Sequence, residues 1–342
     1  MRPGLLPPGP PGPVLRLLLG GGLLGGCDGS QSVLNPHGPQ AEAVAVLSWV
    51  LFGGAALIFL AVMAMVLAGM LFPGRFRAVG AGRLVGGGTA FTVAVLLVLT
   101  VAATLVGASV TRVGTGPGEE PLRIKVVGWM WWWEVRYPDT PWGEVVSANE
   151  IRIPAGRPVQ FELEAGDVIH SFWVPGLYGK RDMIPGRINR IRLTATETGI
   201  LRGQCAEFCG EQHTLMAFEV EAMEPEAFAA WLENEARPAR APADPALAAG
   251  AAAFLEVGCG ACHAVRGLHR GPYAAVGTLG PDLTHFAGRR TLAAATLPAG
   301  TGPLAAWIAG SQHIKPGNRM PSFDRLDGER LTAIVRYLES LE

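Results

Sequence analysis

The 342-residue chain is 49% hydrophobic and 17% charged, and 28 basic against 29 acidic residues leave a formal net charge of -1. That composition is too apolar for an ordinary soluble enzyme or a disordered protein, and it points to membrane attachment. The balanced charge gives no electrostatic basis for wrapping nucleic acid, and the length predicts two or three domains rather than one.

Residues 1–27 carry Arg2 and Arg16, then an apolar run from Leu17 that ends in Leu24-Gly25-Gly26-Cys27, the layout of a bacterial export signal. The ending resembles a lipoprotein processing site, which would make Cys27 a lipidated first residue; the alternative is a cysteine that merely sits in a signal. Within residues 40–112, Val44–Phe72 and Leu84–Val110 contain no charged residue. Each exceeds the roughly 20 residues that a helix needs to cross about 30 Å of hydrocarbon, so a two-helix transmembrane hairpin is predicted over buried soluble helices. Arg75, Arg77 and Arg83 lie in the connecting loop, and no Lys or Arg falls between Arg16 and Arg75. The loop is therefore expected in the cytoplasm of a bacterial cell, with both termini on the periplasmic or outer face of the inner membrane.

From Leu122 the pattern becomes short alternating runs: Arg123–Val126, Val159–Glu164, Arg187–Leu193 and Phe218–Glu221, separated by Pro- and Gly-containing turns. They predict strands with one wet face, in a small antiparallel sandwich or barrel. The domain is placed at 119–236, with its strands ending near residue 221 and a short helix over 224–236.

This domain contains Cys205-x-Glu207-x-Cys209-Gly210-x-x-His213-x-x-Met216, preceded by Asp167-Val168-Ile169-His170. Thiolates, imidazoles and a thioether together suit soft or borderline metals, and His, Cys and a weak Met ligand on a β-sandwich form a copper electron-transfer pattern. A second cysteine suggests two copper ions bridged by two thiolates. The competing reading is a Cys205–Cys209 disulfide with unrelated histidines, as an oxidising compartment would allow.

Here the chain resembles subunit II of the haem-copper cytochrome c oxidases, through Asp167–Pro175 and the Cys205–Met216 motif. The resemblance implies a cupredoxin-like fold and a dinuclear CuA centre. Cys205 and Cys209 would bridge the coppers, His170 and His213 would cap one each, Met216 would be a weak ligand, and the backbone carbonyl of Glu207 would complete the set. The Glu207 side chain would also bind Mg²⁺ at the boundary with subunit I. The indole-rich run Gly128-Trp129-Met130-Trp131-Trp132-Trp133-Glu134 is similar to the family's aromatic stretch, which makes Trp131 the electron-input residue; packing is the alternative for it and the account for its neighbours. Trp129 and Met130 depart from the His and Gln common in the family. Many relatives also carry a Glu near the second span that serves a proton channel, whereas residues 73–118 here hold no Asp or Glu.

Residues 237–245, Arg-Pro-Ala-Arg-Ala-Pro-Ala-Asp-Pro, read as an extended linker. Beyond it, 246–342 opens with a helical stretch into Cys259-Gly260-Ala261-Cys262-His263, the C-x-x-C-H signature of covalent haem c attachment. The two thiols add to the haem vinyl groups and His263 becomes an axial ligand. Met320 is the only methionine after residue 223 and is the expected second axial ligand, a pairing that raises the potential of an electron-transfer haem; His269, His285 and His313 are the rivals. Gly280-Pro281-Asp282-Leu283 and a closing helix over Leu331–Leu341 resemble class I cytochromes c.

The whole resembles a caa3-type subunit II: a membrane-anchored multidomain chain with a two-helix hairpin, an all-β cupredoxin-like sandwich and an all-α class I cytochrome c domain. The resemblance implies electron input from cytochrome c, through haem c and CuA, to the haem-copper centre of subunit I, where oxygen is reduced to water. The implied partners are subunits I and III, cytochrome c or a quinol-cytochrome c reductase as donor, and membrane lipid. Two rivals share parts of the pattern: a CuA-bearing subunit of a nitric oxide reductase, and a membrane copper chaperone, which would need neither Met216 nor a haem.

Overall fold

The computed structural model describes residues 29–75, 80–111 and 120–342; the expected export signal, Cys27 and Arg77 lie outside them. Two helices come first, α1 (Pro39–Leu71, 33 residues) and α2 (Ala81–Thr111, 31 residues). Their mean hydropathy reaches 2.7 and 2.5, and both are long and apolar enough to cross a membrane. Apolar side chains such as Leu57, Leu60 and Leu97 point outward uncovered, as expected of helices whose solvent is lipid. The helices begin before the uncharged stretches do, because hydropathy marks the lipid-facing part of a helix and not its polar first turn, where Pro39 and Glu42 suit the N-terminus. Ala41 and Ala45 are buried. His37 N–H donates to Gly176 O at 2.7 Å, Thr196 N–H donates to His37 O at 2.9 Å, and the Tyr178 hydroxyl donates to Val110 O at 3.3 Å. The start of α1 and the end of α2 thus meet the same domain.

That domain is a sandwich of two five-stranded sheets. One has the order β3-β2-β1-β5-β8 and the other β4-β10-β9-β6-β7, built from β1 (Leu122–Trp129), β2 (Trp132–Thr140), β3 (Gly143–Ala148), β4 (Glu150–Pro154), β5 (Val159–Ala165), β6 (His170–Trp173), β7 (Arg181–Met183), β8 (Asn189–Leu193), β9 (Gly199–Cys205) and β10 (Ala217–Met223). Alternation sets the faces: Ile124 and Val126 are buried while Arg123 is exposed. The core is aromatic, with Phe172 stacked on Phe218 at 4.7 Å and Trp133 against Phe218 at 4.8 Å. Two pairs, β1 with β5 and β4 with β10, run parallel, so the sheets are mixed and not purely antiparallel. The cause is connectivity: the chain leaves one sheet through Asn149, crosses to the other, and returns before the next neighbour forms. Alternating hydrophobicity is the same for either pairing. Helix α3 (Pro225–Ala236) closes one side through Phe228 and Leu232.

The C-terminal domain is organised by α4 (Pro245–Glu256), α5 (Thr301–Ile314) and α6 (Gly328–Glu339). Asp244 and Asp327 cap α4 and α6, accepting from Ala246 N–H and Arg330 N–H at 2.8 Å each. Where α4 crosses α6, a Cβ on Gly250 would stand 2.2 Å from Ala333 O; only glycine permits that approach. Two short hairpins supplement the helical core, β11 (Ala264–Arg270) with β12 (Tyr273–Val276), and β13 (Thr291–Leu292) with β14 (Leu297–Pro298). The first turns on Gly271-Pro272, with Gly271 at φ 56°, the glycine-first loop that hairpins favour.

Candidate metal centres

In the sandwich, the end of β9 delivers Cys205, the following loop delivers Glu207, Cys209, His213 and Met216, and the start of the adjacent β6 delivers His170. The two Sγ atoms are 3.8 Å apart, so the thiols face one another unjoined. His170 Nδ1 lies 3.9 Å from Cys205 Sγ, and His213 Nδ1 3.5 Å from Cys209 Sγ. Met216 Sδ is 3.7 Å from Cys209 Sγ, and Glu207 O is 3.2 Å from Cys205 Sγ. The cysteines, Met216 and His170 are buried. A pair of sulfurs with an imidazole at either flank, a thioether and a carbonyl is a donor set that fits a copper pair.

The electrostatics suit a cation. The thiol–thiol hydrogen bond is the main cause that pulls Cys205 down, while the same bond and burial push Cys209 up. His170 Nε2 donates to Asp167 Oδ1 at 2.9 Å, which leaves Nδ1 for the metal side. Asp167 also accepts Met130 N–H at 2.8 Å. Beneath the ring, Gly128 leaves room that a Cβ would fill, at 2.9 Å from His170 Cδ2.

The Glu207 carboxylate turns outward and accepts from Lys180 Nζ at 2.9 Å, which also donates to Asp182 at 2.9 Å. A Mg²⁺ ion at Glu207 would have to displace that ammonium.

In the C-terminal domain, a cavity of about 560 Å³ is lined by Cys259, Cys262, His263 and Met320, with Phe254, Leu304, Ile308 and Leu338 among its apolar walls. His263 Nδ1 donates to Pro281 O at 2.8 Å, which aims the other nitrogen inward. A Cβ on Gly280 would meet the His263 ring at 2.6 Å. Burial lowers His263 and pushes Cys259 up to about 11. Met320 is held by its neighbours: its N–H donates to Asn318 Oδ1 at 2.7 Å, and its carbonyl accepts from Ser311 and Gln312 at 2.7 Å each. Apolar walls, paired thiols, an oriented imidazole and a thioether make this cavity a fit for covalent haem. Of the rival histidines, His285 has its ring nitrogens 2.7 and 2.9 Å from backbone oxygens of Glu342 and Arg237, away from the cavity, and neither His269 nor His313 lines it.

The match to known families follows this division. A family model described as cytochrome c oxidase subunit II, periplasmic domain, matches residues 144–223, and one described as cytochrome c matches 247–342. The cytochrome c oxidase subunit 2 of Alkalihalophilus pseudofirmus is 34% identical over 338 residues, covering 93% of this chain and 94% of that protein. The chain belongs to the cytochrome c oxidase subunit 2 family. The subunit 2 of Bacillus subtilis is also 34% identical, over 66% of this chain and 63% of its own length. The crystal structure of the periplasmic domain of subunit II from Bradyrhizobium japonicum is 32% identical and covers 34% of this chain and 95% of that chain, with a TM-score of 0.33. By its family and its two matched domains, the chain is a membrane-anchored part of a terminal oxidase with a fused cytochrome c domain, and its role is electron input.

The two centres share a wall. Trp131 donates from Nε1 to Cys209 O at 2.9 Å, and with Met130 and Trp132 it also lines the haem cavity. Trp133, its neighbour but one, is fully buried among the phenylalanines. Residues that sequence reasoning did not single out also stand on this wall. Lys315 is 2% exposed, and Arg319 reaches Asp167 at 3.5 Å. A lysine after a helix and an arginine beside Met320 carry no motif, so nothing in the sequence marked them.

Proposed function

We propose that the chain takes electrons from cytochrome c, or from a quinol-cytochrome c reductase, and delivers them to subunit I of an aa3/caa3-type oxidase, where oxygen is reduced to water. Cys259, Cys262, His263 and Met320 would hold haem c. Cys205, Cys209, His170, His213, Met216 and the Glu207 carbonyl would hold a dinuclear CuA centre. When bound, these groups supply reversible one-electron chemistry.

The chain's own residues prepare that chemistry. Asp167 fixes the His170 tautomer and Pro281 fixes that of His263. Apolar walls exclude water from the haem cavity, which with His/Met ligation favours a high potential. Glu207, exposed beside Lys180, is placed to contribute to Mg²⁺ binding if subunit I displaces the lysine and supplies further ligands; subunit III would complete the assembly. The two spans, with both sandwich-side ends together, support a topology in which the metal domains lie on the periplasmic face and the loop between the spans in the cytoplasm, after removal of the export signal.

The observation that carries this reading is the double engagement of Trp131, bonded to the carbonyl of a copper-ligand cysteine and lining the haem cavity. The test is photochemical reduction of haem c in the assembled oxidase. Copper reduction should follow haem oxidation, and Trp131→Phe should slow that step with both spectra unchanged. Electron arrival in subunit I without transient copper reduction would refute the route, and an unaltered rate in the variant would return Trp131 to a packing role.

A further inference from the structure

We propose that Lys315 is a positioning residue, clamping the haem domain onto the loop that carries the copper ligands so that the haem cavity is held against Trp131. The inference rests on the copper and haem reading above. Lys315 follows α5 in the haem domain, yet its ammonium nitrogen reaches the sandwich. It donates to Trp131 O at 2.9 Å and Leu215 O at 2.8 Å, and within its own domain to Ala293 O at 3.0 Å. Three N–H bonds meet three carbonyl oxygens, full satisfaction for a side chain otherwise too costly to bury. Its sandwich partners are the peptide next to Met216 and the peptide of the shared indole.

The surrounding contacts converge on the same loop. Ala217 N–H donates to Ala294 O at 3.2 Å, the Thr296 hydroxyl donates to Leu215 O at 3.2 Å, and Gln212 Nε2 donates to Pro316 O at 2.7 Å. Residues 212–217, which include His213 and Met216, are thus gripped at both ends by the haem domain. The gripping turn is strained: Ala293, Ala294 and Ala295 have φ of 53°, 60° and 55°, a left-handed run that alanine avoids. Each of the three carbonyls it presents is used, Ala293 by Lys315, Ala294 by Ala217 and Ala295 by Arg202 at 3.2 Å. Strain of this kind persists where surrounding contacts over-determine it, and here two of the three contacts cross the domain boundary.

The experiment uses the full oxidase carrying Lys315→Met, which keeps an unbranched side chain one atom shorter and removes its donors. Three quantities are read: the haem and copper spectra, the rate of haem-to-copper transfer after photoreduction, and amide hydrogen exchange across residues 212–217. Intact spectra, transfer slowed at least about tenfold and newly dependent on solvent viscosity, and faster exchange at Ala217 are expected, tenfold being the factor of about one lost hydrogen bond. Wild-type transfer with Ala217 still protected would overturn the proposal. Loss of the copper band would overturn it too, since Lys315 would then serve the metal site itself; the proposed function would stand or fall separately, on the wild-type order of reduction. Should Lys315→Met fail to assemble, Arg202→Met is the second variant. It should show the same exchange signature with a smaller slowing, and unchanged exchange there refutes the clamp.

Discussion

Gly128→Ala tests how closely the imidazole of His170, proposed above as a copper ligand, is built into the sandwich. Gly128 lies on β1 with a backbone that any residue can adopt, so the substitution acts through space alone. The added Cβ would stand 2.9, 3.0 and 3.2 Å from Cδ2, Cγ and Cβ of His170. Carbon atoms prefer about 3.5–4.0 Å, so the ring must retreat by roughly 0.5–1 Å. It has nowhere to go without loss, being fully buried, bonded to Asp167 on one nitrogen and aimed at Cys205 on the other. Overpacking of this kind costs about 1–3 kcal/mol. Metal–ligand distances in well-formed sites lie within about 0.2 Å of their standard values, so a ring displaced further than that should show first in copper affinity and only then in folding. The assay is copper titration of the purified subunit, followed by the near-infrared band, with the haem spectrum as an internal control because Gly128 lies in the other domain. Weakened binding by about tenfold or more, a shifted copper band and an unchanged haem band are expected. Wild-type copper affinity with an unshifted band would refute the argument that His170 is fixed by the space over Gly128.

Met320→Ala should lower the haem potential while copper binding persists, because it removes a thioether from the cavity and leaves the sandwich untouched; redox titration of both centres checks this, and an unmoved potential assigns the second axial position elsewhere. Acid should loosen the domains. Burial opposes ionisation of Glu221, but its bonds to Arg290 and Arg152 prevail and hold its carboxyl below the ordinary 4.5. Since Arg290 belongs to the haem domain and sits 2.8 Å away, its share of that bonding is made only on docking. A depressed carboxyl contributes stability that is present above its ordinary value and lost as pH falls through the docked one. Exchange protection at the domain boundary should therefore decline below about pH 4.5, and Arg290→Met should flatten that dependence.

The donor cluster proposed to hold copper was legible as a cluster because five of its six members come from a single twelve-residue run, Cys205–Met216, whose spacing is nearly all local. Only His170 comes from elsewhere, and its neighbour in space is decided by one strand pairing, β6 with β9. The haem cavity was legible for a similar reason at one wall, where Cys259, Cys262 and His263 are contiguous; Met320 was reached by elimination among methionines. Sheet order was not legible, since the alternation in Arg123–Val126 or Val159–Glu164 is indifferent to whether the next strand runs parallel. The boundary between the domains was least legible of all. Lys315, Arg290 and the Ala293–Ala295 turn have no periodicity and no ligand chemistry, and their meaning depends on partners far away in the chain and in the other domain: the carbonyls of Trp131 and Leu215, the carboxylates of Glu150 and Glu219, and the N–H groups of Arg202 and Ala217.

The fusion of the two domains gains its effect from this boundary more than from the tether. A flexible linker supplies an effective concentration but no orientation; here Arg237 and Asp244, at the two ends of the linker, have extended backbone. The stretch is also anchored: Ala239 N–H donates to Arg266 O at 2.8 Å, and Arg237 O accepts from His285 at 2.9 Å. Further along, Glu150 accepts the backbone N–H groups of Arg290 and Thr291 at 2.8 and 3.0 Å, and Arg152 donates to Gly288 O at 2.8 Å. A tether alone would leave the haem domain to sample many orientations, of which few would bring its cavity to Trp131. Contacts distributed from Arg237 to Arg319 select one, so on the proposed route the orienting cost of each transfer would be met once, when the chain folds, and not at every encounter.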